Sequence, residues 1–274
     1  MQRVLLTGAA GGIGTRLRKL LPQHYPSLRL SDLKTPADLG AKEEFVAADL
    51  SDLGQCERIC EGIDGIVHLG GQSLEAPWET ILNANITGTY NLFEAAKRQG
   101  VKRVVFASSN HVIGFYPRSR RIGTEEVVLP DSRYGVSKAF GESVGAFYAY
   151  KFGLRVLSLR IGNVGDAPGN LRLMSIWLSP NDLVQLIRIG LEHPDLRYEV
   201  FYGVSGNDRG WWDNEAAMRF GYKPSGNSEA MLEAALEGEK NVKPDPVGEY
   251  LQGGWFASQE FEGDFEALKD LGRN

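Results

Sequence analysis

A short apolar run, Val4-Leu5-Leu6, gives way to Thr7-Gly8-Ala9-Ala10-Gly11-Gly12-Ile13-Gly14, and a helical stretch follows. Glycines three apart at Gly8, Gly11 and Gly14 let a backbone turn tightly where a strand passes into a helix. The same turn brings main-chain amides and the positive end of the helix dipole within reach of a pyrophosphate. Few arrangements other than strand–turn–helix accommodate such a loop so close to the first strand.

The pattern continues beyond the loop. Leu28-Arg29-Leu30-Ser31-Asp32, Phe45-Val46-Ala47-Ala48-Asp49, Ile66-Val67-His68-Leu69, Val104-Val105-Phe106-Ala107 and Arg155-Val156-Leu157-Ser158-Leu159-Arg160 read as strands. Helical stretches such as Thr89 to Lys97 separate them. Strands alternating with helices predict parallel pairing and right-handed crossovers, hence an α/β, Rossmann-like doubly wound parallel sheet. After residue 165 the pattern changes to a Gly-, Pro- and Asn-rich segment, a helix starting near Pro180, one more strand over Glu199 to Val204, and an acidic, mostly helical end. The expected organisation is a dinucleotide-binding core over residues 1–165. Residues 166–274 are expected to form a site roof and a small C-terminal cap integrated with that core.

Composition narrows the setting. The 274 residues are 42% hydrophobic and 24% charged with a net charge of −5, ordinary for a globular protein and no support for nucleic-acid or membrane-surface binding. Met1-Gln2-Arg3 leads straight into the first strand, and no run is long and apolar enough for a signal sequence or membrane span, so a cytoplasmic location is expected. Cys56 and Cys60, one helical turn apart, are too few to close a metal site and are expected to be reduced packing residues. No metal is expected.

Tyr134 and Lys138, in Tyr134-Gly135-Val136-Ser137-Lys138, project from one face of a helix. A nearby ammonium favours the ionised phenol, which makes Tyr134 a candidate proton acceptor. Ser108 and Ser109 end a strand about 25 residues upstream. Asp32, closing the second strand, can accept from ribose hydroxyls and would repel a 2′-phosphate, which favours NAD over NADP. Asp49 reads equally as a partner for the adenine amino group or as a cap for Ser51-Asp52-Leu53. His68 reads as a packing residue, Trp211-Trp212 as cap core, and the acidic stretch from Glu229 to Glu239 as a solvated helix.

Together Thr7-Gly8-x-x-Gly11-x-x-Gly14, Asp32, Asp49, His68-Leu69-Gly70-Gly71, Asn85, Ser108-Ser109, Tyr134-x-x-x-Lys138 and Arg160-Ile161-Gly162-Asn163-Val164 resemble the extended short-chain dehydrogenase/reductase family over residues 1 to about 165. The resemblance implies Tyr134 as acid/base, Lys138 as the group that holds the nicotinamide ribose and lowers the phenol's pKa, and Ser109 as the hydroxyl on the reacting oxygen. It implies NAD contacts at Gly8, Gly11, Gly12, Ile13, Gly14, Asp32, Asp49, Leu50, Leu69, Gly70, Gly71, Tyr134, Lys138 and Ile161. Asn85 matches a helix-kinking Asn of that family and reads equally as an ordinary helix-start cap.

Within that family the chain is most similar to the uronate dehydrogenases. The likeness lies in His68-Leu69-Gly70-Gly71-Gln72-Ser73, Ser109-Asn110-His111, Arg172 to Ser179, Gly206 to Asn214 and Gln252 to Ala257. It implies oxidation of a hexuronic acid, glucuronate or galacturonate, at C1 to an aldaric acid lactone. Ser73, Ser109, Asn110, His111, Asn163 and Arg172 are the implied sugar contacts, and Arg172 anchors the carboxylate. Spacing alone would leave Arg172 a surface residue. Asn163 stands where such enzymes are expected to carry Ser. A homo-oligomer is expected. Two other readings remain: an NAD-retaining nucleotide-sugar epimerase or dehydratase, and a non-catalytic NAD(P)-sensing protein. The short C-terminal part and Arg172 weigh against the first. The intact Ser109, Tyr134 and Lys138 weigh against the second.

Overall fold

The sheet is built from strands whose alternate residues enter different cores. In the computed structural model, which describes residues 1–270, Val4 and Leu6 of β1 (Arg3–Thr7) pack into one apolar cluster and Leu5 into another. The further strands are β2 (Ser27–Ser31), β3 (Glu43–Phe45), β4 (Gly65–His68), β5 (Arg103–Ser109), β6 (Arg155–Ile161), β7 (Asn163–Val164), β8 (Trp177–Leu178) and β9 (Tyr198–Gly203). Seven of them form one sheet in the order β3-β2-β1-β4-β5-β6-β9, every neighbour parallel. The small β7–β8 pair stands apart.

The chain runs outward from β1 to β3 and returns to β4 on the other side of β1. The crevice at that reversal, beyond the carboxyl ends of β1 and β4, is where doubly wound sheets bind ligands. Helices cover both faces. The cluster holding Val4 and Leu6 also takes Leu17 of α1 (Gly12–Leu20). The cluster holding Leu5 takes Cys56, Ile59 and Cys60 of α2 (Leu53–Cys60). The helices α3 (Trp78–Ile81), α4 (Gly88–Arg98), α5 (Arg133–Phe152), α6 (Leu171–Ser175) and α7 (Pro180–Glu192) follow in chain order. Of these, α4 and α5 add Leu92, Phe93, Val144 and Tyr148 to the second cluster, and α7 adds Leu183 and Ile187 to the first. A third cluster joins Val112, Ile113, Ile176, Tyr202 and Trp212. Trp212 stacks flat on Tyr202 at 4.8 Å and donates its Nε1 proton to Gln252, so it is core rather than a sugar platform.

One strand differs from its expected place. The third covers Glu43–Phe45 instead of Phe45 to Asp49. Its partner β2 ends at Ser31, and beyond Phe45 only Val46 and Ala48 still donate toward β2 and Asp32. The apolar residues Val46 and Ala48 continue the alternation without a ladder to join, and the sequence pattern alone cannot tell the two apart.

Among the described residues no helix is long and apolar enough to cross a membrane. Cys56 and Cys60 are free and buried, and burial pushes both thiols up.

Candidate active site

The glycine loop needs its glycines for a steric reason. Gly8 has φ +68, and a Cβ there would lie 2.8 Å from the carbonyl carbon of Leu69. The loop thus nests against the Leu69-Gly70 backbone that follows β4. No side chain caps α1, whose N-cap is Gly11. The amides at Gly12, Ile13 and Gly14 begin a helix whose positive end is left for an anion, and that is what a dinucleotide pyrophosphate requires. Asp32 follows β2 directly and accepts from the Ala10 amide at 3.0 Å, which places its carboxylate beside the same loop. Arg29 is occupied by Glu44 and by the carbonyls of Ile59 and Glu61, so it is no phosphate ligand. Asp49 accepts from the Ser51 amide and hydroxyl and so caps that turn, while Asp52, not Asp49, caps α2. Leu50 packs against Gly70.

His68 is buried at the end of β4. Its Nδ1 meets the Thr7 hydroxyl at 2.8 Å, and that hydroxyl accepts from the Gly70 amide at 3.0 Å. Burial, then the charge of Lys138, pushes its pKa down to about 3, so it serves the loop as a neutral packing residue. Asn85 is no helix-start cap. It lies inside a π-helical turn, Leu82–Thr87, and bonds to both the amide and carbonyl of Gln72 and to the Ser137 hydroxyl. Such bulges bend helices. Here the bend ties the loop after Gly71 to the helix that carries Tyr134.

That helix, α5, starts at Ser132, whose hydroxyl accepts from the Gly135 amide. Tyr134 and Lys138 are both buried on it. Lys138 Nζ donates to the Ala107 carbonyl of β5 at 2.8 Å and sits 5.5 Å from the centre of the Tyr134 ring. Burial lowers the ammonium to about 8. Burial also pushes the phenol up to about 12, and the nearby Ser109 hydroxyl pulls the other way. Burial thus opposes the charged form of both groups. Ser109, at the end of β5, accepts from the His111 amide at 3.2 Å, leaving its own proton for a ligand oxygen. Ile161 ends β6 opposite Ser109.

The remaining implied sugar contacts fall into two groups. Asn110 is buried and its Nδ2 has no partner. His111 stacks on Phe256 with ring centres 3.8 Å apart and turns an edge toward Tyr134. Arg172, in α6, is half-buried. Its Nη2 donates to the Gln252 carbonyl at 2.6 Å, and its Nε is buried with no acceptor. No carboxylate pairs with it among the described residues, and burial, then Arg118, pulls its pKa down to about 10. The segment Gln252–Phe256 thus links Arg172 to His111 and Tyr134. Ser73 and Asn163 are less engaged. Ser73 is exposed in the loop after Gly71, and the Asn163 backbone pairs with Ile176 while its side chain makes no hydrogen bond among the described residues. A cleft of about 440 Å³ borders the site, sharing Asp131 and Phe256 with it.

Several supporting residues escaped sequence reading. Glu75 accepts from the Arg133 and Tyr134 amides and from the Arg133 guanidinium, pinning the loop after Gly71 onto the start of α5. Glu142 forms a buried pair with Arg160 and accepts from Ser108, which shows that Ser108 faces away from the phenol. Glu239, in a stretch expected to be merely solvated, accepts from the Leu171 amide and so caps the helix carrying Arg172. An acid paired across dozens of residues leaves no local signal.

The chain is 44% identical over 96% of its length to the uronate dehydrogenase of Pseudomonas syringae pv. tomato, covering 95% of that protein. The crystal structure of uronate dehydrogenase from Agrobacterium tumefaciens superposes with a TM-score of 0.89 at 44% identity, covering 94% of this chain and 97% of that one. A mutant of that enzyme has been solved complexed with NAD and superposes equally well. A glucuronic acid dehydrogenase from Chromohalobacter salexigens gives a TM-score of 0.90 at 43% identity, with 93% and 96% covered. Residues 4–170 match the NAD dependent epimerase/dehydratase family, and the chain belongs to it.

Proposed function

We propose that this protein is an NAD-dependent uronate dehydrogenase that oxidises glucuronate or galacturonate at C1 to the aldaric acid lactone. The observation that carries the reading is Arg172, a guanidinium with a buried Nε that has no acceptor, and no ion-paired carboxylate, among the described residues, linked through Gln252–Phe256 to His111 and Tyr134. A buried charge without a counter-ion is costly, and a ligand carboxylate gripped by the planar fork removes that cost. A neutral sugar would not.

The oxidation takes a proton from the C1 hydroxyl and a hydride from C1. The Gly8–Gly14 loop, Asp32 and Lys138 would hold NAD, which when bound would supply the hydride acceptor. Tyr134 takes the proton, and positive charge in the site favours its charged form against the burial that opposes it. Lys138, fixed on the Ala107 carbonyl, keeps two donors for the ribose. Ser109 donates to the C1 oxygen, while Asn110, His111, Ser73 and Asn163 bind the remaining hydroxyls. The reacting atoms must come within roughly 3–3.5 Å, so these contacts contribute to rate as well as binding.

The test is direct. Purified protein mixed with NAD and glucuronate or galacturonate should produce NADH, followed by its absorbance. Conversion of a nucleotide sugar with no net NADH would instead make the protein an epimerase or dehydratase. Specific NAD binding without turnover would make it a sensor. Asp32 sets the cofactor preference in this reading. Asp32→Ala should lower the ratio of kcat/KM for NAD over NADP by about tenfold or more, because the carboxylate that repels the 2′-phosphate is gone. An unaltered ratio contradicts the ribose role.

Two further features fit the same picture. Val136, Phe147 and Tyr150 are exposed along one face of α5, with Tyr90 exposed on the adjacent α4. This apolar face suits a second copy of the chain, so the protein is a homo-oligomer; a monomer mass in sedimentation would refute it. Two free, buried thiols suit a reducing, cytoplasmic setting.

A further inference from the structure

Asp131 lies just ahead of the catalytic helix, and its side chain is fully buried. Its Oδ2 meets Nδ1 of His111 at 2.8 Å and its Oδ1 accepts from the Ser132 hydroxyl at 2.8 Å. The Asp131 amide donates to the His111 carbonyl, so the two residues are tied through backbone and side chain alike. Two remote segments leave room for this carboxylate. A Cβ on either Gly114 or Gly253 would overlap it. Asp131 is therefore built into the site from three directions.

The arrangement settles which way His111 is wired. A carboxylate only accepts, so the proton of that bond sits on Nδ1. In the neutral ring Nε2 is then a lone pair. Nε2 makes no hydrogen bond among the described residues and is not sealed from solvent, and the ring is clamped between Phe256 and the edge of Tyr134.

We propose that Asp131 is a positioning residue that fixes His111 with Nδ1 protonated, so that Nε2 accepts a proton from a sugar hydroxyl. The assignment rests on the uronate reading for its ligand but not for its tautomer. It divides the labour of the site. Arg172 donates to the carboxylate, Ser109 donates to the C1 oxygen, and His111 supplies an acceptor for a ring hydroxyl. An acceptor at this place discriminates among hydroxyl configurations, because a hydroxyl pointing elsewhere leaves the lone pair unpaired.

The isosteric change Asp131→Asn tests this. The Ser132 hydroxyl already accepts from the Gly135 amide and gives its one proton to Oδ1. An amide here keeps its oxygen toward Ser132 and turns its NH2 to His111. That forces the ring to accept at Nδ1 and carry its proton on Nε2, converting the sugar acceptor into a donor. Long-range proton–nitrogen correlation on 15N-labelled protein should show His111 protonated at Nδ1 alone in the wild type and at Nε2 alone in Asp131→Asn. The uronate KM of the variant should rise about tenfold, with the NAD KM unchanged. A wild-type ring protonated at Nε2, singly or together with Nδ1, overturns the proposal, and this reading needs no variant to fold. So does a variant whose uronate KM stays at the wild-type value. Failure of the wild type to reduce NAD with any uronate would sink the substrate reading instead, while the tautomer measurement still decides the role of Asp131.

Discussion

Tyr134→Phe should abolish uronate oxidation, lowering kcat by about 10²–10⁴-fold or more, while NAD binding and thermal stability stay close to wild type. The ring itself is a packing element, 6.0 Å from Phe256 and edge-on to His111, and phenylalanine keeps those contacts. The Ser109 hydroxyl beside it still accepts from the His111 amide, so removing the phenol oxygen leaves little stranded. What goes, in the proposed reading, is the group that receives the C1 proton beside Ser109 and Lys138. The effect should fall on kcat rather than on uronate KM, because proton transfer is made only in the transition state. Calorimetric titration with NAD and a thermal melt separate this from misfolding. Substantial turnover in a variant that binds NAD normally removes Tyr134 from the mechanism.

Much of this site was legible because its parts are local. Gly8 to Gly14, Asp32 and the Tyr134–Lys138 spacing are short-range patterns whose meaning follows from strand–turn–helix geometry and the helical turn. The sheet was legible for the same reason, since each buried parallel strand is a compact apolar run. The parts that were not legible depend on partners distant in sequence. Glu142 meets Arg160, Glu239 meets Leu171, and Glu75 meets Tyr134 only once the crossovers are in place. Asp131, in Pro130-Asp131-Ser132, carries the local signature of a helix cap, and the cap is Ser132. Only folding shows that the carboxylate turns toward His111 instead. The four-residue spacing likewise shows the charge of Lys138 near the phenol but not the burial, which acts on both members of the pair.

Arg172 offers the sharpest separation of binding from stability. Arg172→Met keeps an aliphatic stem but removes the charge, its donors and the guanidinium atoms that lie nearest Gly254. For uronate, kcat/KM should fall by about 10²-fold or more, mostly through KM, as expected when one member of a buried charge-assisted pair is truncated. Activity on the matching neutral hexose should change far less, so the preference for the acid over its neutral counterpart collapses. The melting temperature should hold or rise, because the free protein no longer buries a guanidinium whose Nε finds no acceptor. The loss of one bond to the Gln252 carbonyl works against that gain but is the smaller effect. An arginine that merely supported the fold would show the reverse, a lower melting temperature and an undisturbed ratio between acidic and neutral sugars. An unchanged uronate KM in the folded variant sinks the anchor assignment. The opposed signs of the two measurements would follow from one cause in the proposed reading: a guanidinium whose buried Nε has no acceptor among the described residues and that an anionic substrate would pair with.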